Sequence, residues 1–179
     1  MSTRLRLSVD NSHTTRPACR GVGDLYRNHA ETAGGLARVS KSVDLSVKFM
    51  RMSEAITQSL ERLVETLGDP QPLIYQRMYA LYPHTEALFV LDSDGGVRGS
   101  MLQTTLEIIL GYAAEDRLDA VSLAAWQSHH LAYDVDAVTF TSFFAIIRDC
   151  AKEALGTDWN KTTEQAWQVL LQQVQTIEA

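Results

Sequence analysis

The spacing of apolar residues favours helices along most of this chain. Ile56, Leu60, Leu63, Val64 and Leu67 recur at intervals of three and four, which places them on one face of a helix. Similar spacing returns in later segments, and no useful length of sequence shows the period-2 alternation of a half-buried strand. The chain has only 4 prolines and 10 glycines, so long stretches lack the residues that interrupt helices. The pattern predicts an all-α fold.

Five further main helices are predicted beyond the first, which we expect to begin near Glu54. The same spacing and the residues that interrupt it give the ranges 72–82, 101–110, 118–130, 137–155 and 162 to the end, with a short helical turn at 84–89. Asp136 is an expected N-cap for the helix over 137–155, and Gly156 its expected terminator.

Composition changes near residue 50. Residues 1–52 carry nine Lys and Arg against four Asp and Glu, whereas the remainder carries 7 against 18. We predict a flexible basic extension over 1–50, because its Arg-, Ser- and Thr-rich sequence buries too little apolar surface to become ordered, and one domain over 51–179. An organellar transit peptide, or an over-extended reading frame with the natural start near Met52, are open alternatives for this leader.

Charge, apolar content and cysteine usage exclude several classes of protein. The acidic body is a poor candidate for nucleic-acid binding, which depends on neutralising phosphates. No apolar run approaches the roughly 18–20 residues that cross a bilayer, and the leader lacks the apolar centre of a secretory signal. Cys19 and Cys150 lie in unrelated contexts, which favours a reducing, cytoplasmic setting over a disulfide. Cys150 is interpreted as a small buried apolar residue.

Three segments, in order, form a recognisable pattern: residues 73–89 (LIYQRMYALYPHTEALF), residues 129–135 (HHLAYDV), and residues 155–159 (LGTDW) followed by Ala166 and Trp167. Together they resemble the globin family, in particular single-domain bacterial globins and the haem domain of flavohaemoglobins. The first segment is similar to the second helix and the short third helix of that family. The second resembles the segment that carries the proximal histidine, and the third resembles the join between the last two helices. Covering about residues 55–175, the resemblance implies helices packed three-on-three around haem b.

The resemblance implies roles for three residues, with 14 positions from Tyr75 to Phe89 and 41 more to His130. His130 would be the iron ligand, since a neutral imidazole suits reversible binding of diatomic gases. Phe89 would pack on the porphyrin, and Tyr75 would donate its hydroxyl proton to a bound ligand. Successive helix positions differ by about 100°, so His129 is expected at the rim. Ordinary helix packing is the alternative for each of the three.

Three more positions follow from the resemblance. Leu102 best matches the apolar residue over the iron, which puts Arg98 at the polar distal position, able to meet the ligand or a haem propionate. A surface arginine is the alternative, and Gln103 is a weaker distal candidate. Phe140 stands ten residues after His130, where flavohaemoglobins have a tyrosine on the proximal side. This difference predicts an iron that is less peroxidase-like.

The leading functional hypothesis is reversible binding of dioxygen and of other diatomic gases such as nitric oxide. Nitric oxide dioxygenation would depend on an external reductase, because the chain has no Gly-rich dinucleotide fingerprint and no reductase module is expected after the last helix. A haem-based gas or redox sensor that acts through a partner is one alternative. A haem-free interaction module with the same helices is another. No nucleic-acid or membrane partner is expected.

Overall fold

The computed structural model describes residues 32–177, with side chains from residue 44 onward. This part consists of helices without a β-strand. The helices are α1 (Thr32–Leu67), α2 (Gln71–Leu81), α3 (Gly96–Glu115), α4 (Ala120–Leu131), α5 (Ala137–Leu155) and α6 (Lys161–Gln175), with 3₁₀ segments at Pro83–Phe89 and Gly156–Asp158. The prediction of an all-α fold is confirmed. None of the described helices has the length and apolar content needed to span a bilayer.

Helix α1 begins earlier than the sequence predicts. It extends back from the expected start at Glu54 to Thr32, so part of the segment predicted to be flexible is helical, and the predicted boundary after residue 50 lies inside α1. Leu45, Val47 and Met50 are exposed there. Because residues 44–50 bury no continuous apolar face, apolar periodicity could not predict this stretch of α1. The rest of the predicted extension, residues 1–31, lies outside the described residues.

The chain divides into two units, residues 1–38 and residues 39–179, and the side chains discussed below belong to the second. Within that unit, polar caps fix where the last three helices begin. The side chains of Asp119, Asp136 and Asn160 each accept backbone N–H groups from the first turn of their helix, at 2.7 to 3.1 Å. Gly156, with φ +52°, follows the last residue of α5. The predicted cap, terminator and bounds of this helix are all confirmed.

Helix α5 is the central element of the packing, since it contacts α2, α4 and α6. Its buried face consists mainly of apolar side chains: Phe143, Phe144, Ile146, Ile147, Cys150 and Ala151. Burial raises the pKa of the Cys150 thiol, which keeps it neutral in this environment. The interpretation of Cys150 as a buried apolar residue is confirmed.

Trp167 connects α6 to α1. Its ring is fully buried, and its Nε1–H donates to the Ser59 hydroxyl oxygen at 2.9 Å. Ser59 is equally buried and donates its own proton to the Ile56 carbonyl at 2.7 Å. Both polar groups therefore have a hydrogen-bond partner inside the core. If this bond is broken, water cannot replace it, because neither group is exposed to solvent.

The Trp167–Ser59 bond predicts a measurable loss of stability. We expect Trp167→Phe to lower the free energy of unfolding by about 2–3 kcal/mol, because the core loses a donor and part of a buried ring. Ser59→Ala should cost about 1 kcal/mol. Because the two substitutions remove the same bond, the double variant should lose less than the sum of the two in chemical denaturation. Strict additivity would show that the bond contributes nothing.

Glu164 connects the start of α6 to the end of α5. Its Oε2 accepts hydrogen bonds from Lys152 Nζ at 2.8 Å and from Trp159 Nε1 at 2.7 Å, and its Oε1 accepts from Gln168 Nε2 at 3.1 Å. The hydrogen bond from Lys152, followed by that from Trp159, lowers the pKa of Glu164 to about 2. The charged carboxylate thus stabilises the join between the two helices.

Glu164→Gln is expected to flatten the loss of stability in acid. The folded-state pKa lies below the ordinary value, so the carboxylate stabilises fully above about pH 4.5 and loses that contribution as the pH falls towards about 2. Between neutral pH and about pH 2, the free energy of unfolding should fall by about 1 kcal/mol less in the variant than in the wild type. The difference is this small because the side chain is partly exposed.

Glu107→Gln is the matched control for this experiment. Glu107 is exposed on α3 and accepts a single side-chain hydrogen bond, from Gln103 Nε2 at 2.9 Å. This variant should keep the slope of the wild type. Equal slopes for Glu164→Gln and the wild type would contradict the proposed contribution of Glu164.

Candidate functional site

An apolar cavity of about 230 Å³ is lined by residues from four helices. The lining residues from α2, the Pro83–Phe89 segment and α3 are Tyr75, Met78, Thr85, Leu88, Phe89, Ser100, Met101, Thr104, Thr105 and Ile108. Those from α4, α5 and the connection between them are Trp126, His130, Val135, Thr139, Phe140, Phe143 and Phe144. The packing of α5 against α2 and α4 brings the two sets together.

Four of the predicted site residues line this cavity. They are Tyr75 from α2, Phe89 from the 3₁₀ segment, His130 from α4 and Phe140 from α5. The ring centroids of Tyr75 and Phe89 are 5.4 Å apart, and those of His130 and Phe140 are 5.0 Å apart. Residues that are distant in the sequence therefore meet around one space.

Leu102 and Arg98, also predicted for the site, do not line the cavity. Leu102 is 5% exposed and packs into the core, while Met101, one position earlier, reaches the cavity. The Arg98 side chain instead forms an ion pair with Asp92, with Nε 2.8 Å from Oδ2. Gln103 is exposed. The α3 residues that face the cavity thus differ from those expected from the resemblance.

The cavity face of α3 is a stripe that the sequence analysis did not single out. Met101, Thr105 and Ile108 follow one another at helical spacing and all line the cavity. On another face of α3, Leu102 and Ile109 are buried in the core. Because α3 is apolar on both faces, periodicity alone could not show which one faces the cavity.

His130 is oriented by a hydrogen bond within its own helix. Its Nδ1 lies 2.7 Å from the carbonyl oxygen of Trp126, one turn earlier. A carbonyl only accepts, so Nδ1 carries the proton, and in the neutral ring Nε2 keeps its lone pair. Among the side chains described for residues 44–177, none forms a hydrogen bond with Nε2. His130 therefore offers one unprotonated nitrogen for a ligand bond.

The neighbouring His129 lies in a different environment. Its side chain is exposed, and its ring contacts the rings of Trp126 and Tyr133 at centroid distances of 6.2 and 5.3 Å. His130, in contrast, lines the cavity. The structure separates the two adjacent imidazoles as the helical rotation of about 100° per residue requires.

Tyr75 is a buried phenol that also lines the cavity, at 3% exposure. Its hydroxyl donates to the backbone carbonyl of Arg98 at 3.0 Å, which ties α2 to the start of α3. Burial raises the pKa of Tyr75, so the hydroxyl keeps its proton at neutral pH. That proton is the one hydrogen the side chain can donate, and in this structure a backbone carbonyl accepts it.

The chemistry of this lining fits a haem group. A haem presents a broad apolar face and needs a nitrogen ligand for its iron. The cavity is lined by aromatic rings and by His130, whose Nδ1 is hydrogen-bonded and whose Nε2 can act as a ligand. In the part of the chain that the structure describes, no group of three or more His, Cys, Asp or Glu side chains is placed to hold a metal ion directly.

Comparison with protein families agrees with this site. The family model described as Globin matches residues 72–177, which is more than half of the chain and contains every residue that lines the cavity. Comparisons with curated proteins and with solved structures return no significant match. The family supports an all-α globin fold and haem-based gas binding in general. This chain belongs to the globin family.

Proposed function

We propose that the protein binds dioxygen and other diatomic gases such as nitric oxide reversibly, through a haem b whose iron is ligated by His130. The observation that carries this proposal is the hydrogen bonding of the His130 imidazole. His130 lines an apolar cavity, its Nδ1 is hydrogen-bonded to the Trp126 carbonyl, and its Nε2 has no partner among the described residues. Histidines that ligate a metal in proteins have this arrangement, because the hydrogen bond of the second nitrogen fixes the tautomer.

Phe89 and Phe140 are the proposed apolar contacts of the haem. Both line the cavity, and Phe140 also packs against the His130 ring at a centroid distance of 5.0 Å. Flat rings of this kind exclude water from the site and restrict the rotation of the imidazole. Bound in the cavity, haem b would supply the ferrous iron that takes up the gas. Leu102 supports this site from the core, behind the cavity-lining face of α3.

Tyr75 is the proposed donor to the bound gas. The other hydroxyl-bearing residues that line the cavity are Thr85, Ser100, Thr104, Thr105 and Thr139. Of these, Thr85, Thr104 and Thr105 donate to nearby backbone carbonyls at 2.7 to 2.9 Å. The Tyr75 proton goes to a carbonyl as well, that of Arg98, but a phenol O–H can rotate about its C–O bond towards another acceptor. A hydrogen bond from Tyr75 to the gas would slow its release.

The surroundings of His130 favour reversible binding over cleavage of the oxygen–oxygen bond. Its Nδ1 donates to a neutral carbonyl rather than to a carboxylate, so the imidazole gains little negative character. Phe140 has no hydroxyl that could add a second hydrogen bond beside the ring. These features support a role like that of single-domain bacterial globins. Nitric oxide dioxygenation would then require an external reductase to return the iron to the ferrous state.

We assign this function to residues 51–179, the predicted globin domain. The helices that line the cavity all lie within that range. Helix α1 (Thr32–Leu67) includes residue 50, so the assigned range begins within this helix.

The first test measures haem uptake by variants of the two adjacent histidines. Wild-type protein purified with haem present should show a haem absorption spectrum, and His130→Ala should bind haem at least about tenfold more weakly with an altered spectrum. His129→Ala should match the wild type, because His129 is exposed and does not line the cavity.

Two results of this experiment would count against the proposal. A wild type that takes up no haem would refute gas binding and favour a haem-free interaction module. Equal spectra and affinities for His130→Ala and the wild type would show that another residue ligates the iron.

The second test measures dioxygen release from Tyr75→Phe by stopped flow. We expect dissociation to become about two- to fivefold faster, because one hydrogen bond to the gas is lost while the apolar ring remains. Tyr82→Phe serves as the control, since the Tyr82 hydroxyl pairs with Ser142 at 2.6 Å and Tyr82 does not line the cavity. An unchanged rate for Tyr75→Phe would show that Tyr75 does not hold the gas.

A further inference from the structure

The connection between the 3₁₀ segment and α3 is closed by a set of bonds between Asp92 and Arg98, which we call the Asp92–Arg98 clamp. The Asp92 carboxylate accepts from Arg98 Nε at 2.8 Å and from the backbone N–H groups of Val97 and Arg98 at 2.8 and 3.1 Å. In return, Arg98 Nη2 donates to the Asp92 carbonyl at 2.9 Å. Two adjacent N–H groups of α3 and one guanidinium thus share a single carboxylate.

The clamp is shielded and charged. The Asp92 side chain is 4% exposed and that of Arg98 is 28% exposed. Burial opposes the charge on Asp92, but the hydrogen bonds from Val97 and Arg98 outweigh it and lower the pKa of the carboxyl. Charge-assisted hydrogen bonds of this kind are stronger and better fixed in geometry than neutral ones. The start of α3 is therefore held firmly in place.

The clamped segment also contacts α2 through two backbone carbonyls. The Gly95 carbonyl accepts from Gln71 Nε2 at 3.1 Å, and the Arg98 carbonyl accepts from the Tyr75 hydroxyl at 3.0 Å. Gly95 has φ +74°, and a Cβ on it would lie 2.9 Å from Gln71 Nε2. The positive φ favours glycine at this position, where the chain enters α3.

Arg98 thus connects the clamp to the cavity without lining it. Its side chain belongs to the clamp, and its carbonyl accepts the proton of Tyr75, whose ring does line the cavity. A buried phenol has one proton to donate, so donation to the carbonyl and donation to a bound gas compete.

We propose that the Asp92–Arg98 clamp sets the rate at which this protein releases a bound gas, by holding the Arg98 carbonyl where it competes for the Tyr75 proton. The inference rests on the proposed function. Asp92 and Arg98 act as positioning residues, because their effect passes through Tyr75. Loosening the clamp lets the carbonyl move away, and hydrogen bonds weaken steeply once distance and angle depart from the optimum. The proton then goes to the gas, and release becomes slower.

The experiment is a double-mutant cycle on the full-length haem-loaded protein with dioxygen as the probe. Asp92→Asn keeps the shape of the side chain but removes the charge that holds the guanidinium. We expect dioxygen dissociation about fivefold slower than in the wild type, the size expected for one hydrogen bond gained by the gas. In a Tyr75→Phe background the same substitution should leave the rate unchanged, because no proton remains to be released.

Asp94→Asn is the matched control. Asp94 is an exposed residue of the same connection, and its carboxylate accepts a hydrogen bond from the Gly96 N–H at 3.1 Å without pairing with Arg98. Dioxygen should dissociate from the Asp94→Asn variant at the same rate as from the wild type. If Asp92→Asn does not fold, Arg98→Met provides the second variant, since it removes the guanidinium and leaves Asp92 to cap α3. It should slow release in the same Tyr75-dependent way.

The carbon monoxide complex gives a spectroscopic readout that a purely structural role would not change. The C–O stretch of bound carbon monoxide responds to a nearby donor, so clamp variants should shift it relative to the wild type, and the shift should vanish with Tyr75→Phe. Suppose that the clamp variants bind haem normally but release dioxygen at an unchanged or faster rate, or equally slowly in the wild-type and Tyr75→Phe backgrounds. Either result overturns this inference and leaves the proposed gas binding intact. A wild type without haem uptake overturns both.

Discussion

Helix α5 buries its apolar face against α2, α4 and α6, and the rest of the domain depends on this burial. Each large apolar side chain removed from water there contributes about 1.5–3 kcal/mol. Phe143 and Phe144 belong both to the core and to the lining of the cavity. The interactions that hold the helices together therefore also define the space between them, and the site cannot form without the core.

Within this apolar space, backbone carbonyls determine what the polar side chains can do. The Trp126 carbonyl takes the Nδ1 proton of His130, and the Arg98 carbonyl takes the hydroxyl proton of Tyr75. Both groups are thereby satisfied, which a buried polar atom requires, and both are oriented. The consequences differ, since the imidazole keeps a free nitrogen, whereas the phenol shares its one proton. In the proposed function, metal ligation by His130 and retention of the gas by Tyr75 thus depend on main-chain geometry as much as on residue type.

The start of α3 illustrates how a connection outside the cavity can act on it. Asp92 satisfies two N–H groups that a helix terminus leaves free and at the same time neutralises Arg98. Since the Arg98 carbonyl accepts the Tyr75 proton, the fold links the capping of a helix to the polarity of the cavity. We therefore propose that Arg98, which the resemblance placed at the polar distal position, acts from outside the cavity.

The sequence by itself determined the helical class and the bounds and cap of α5, because these features depend on local spacing and on capping residues. Its resemblance to globins predicted the set Tyr75, Phe89, His130 and Phe140, which the structure brings to one cavity. Only the tertiary structure decided which face of α3 lines the cavity, because Met101 and Leu102 are both apolar and differ only by helical rotation. It also decided that Arg98 pairs with Asp92, six positions earlier in the chain, and that Tyr75 donates to a carbonyl 23 positions later, since neither pairing leaves a periodic signal in the sequence.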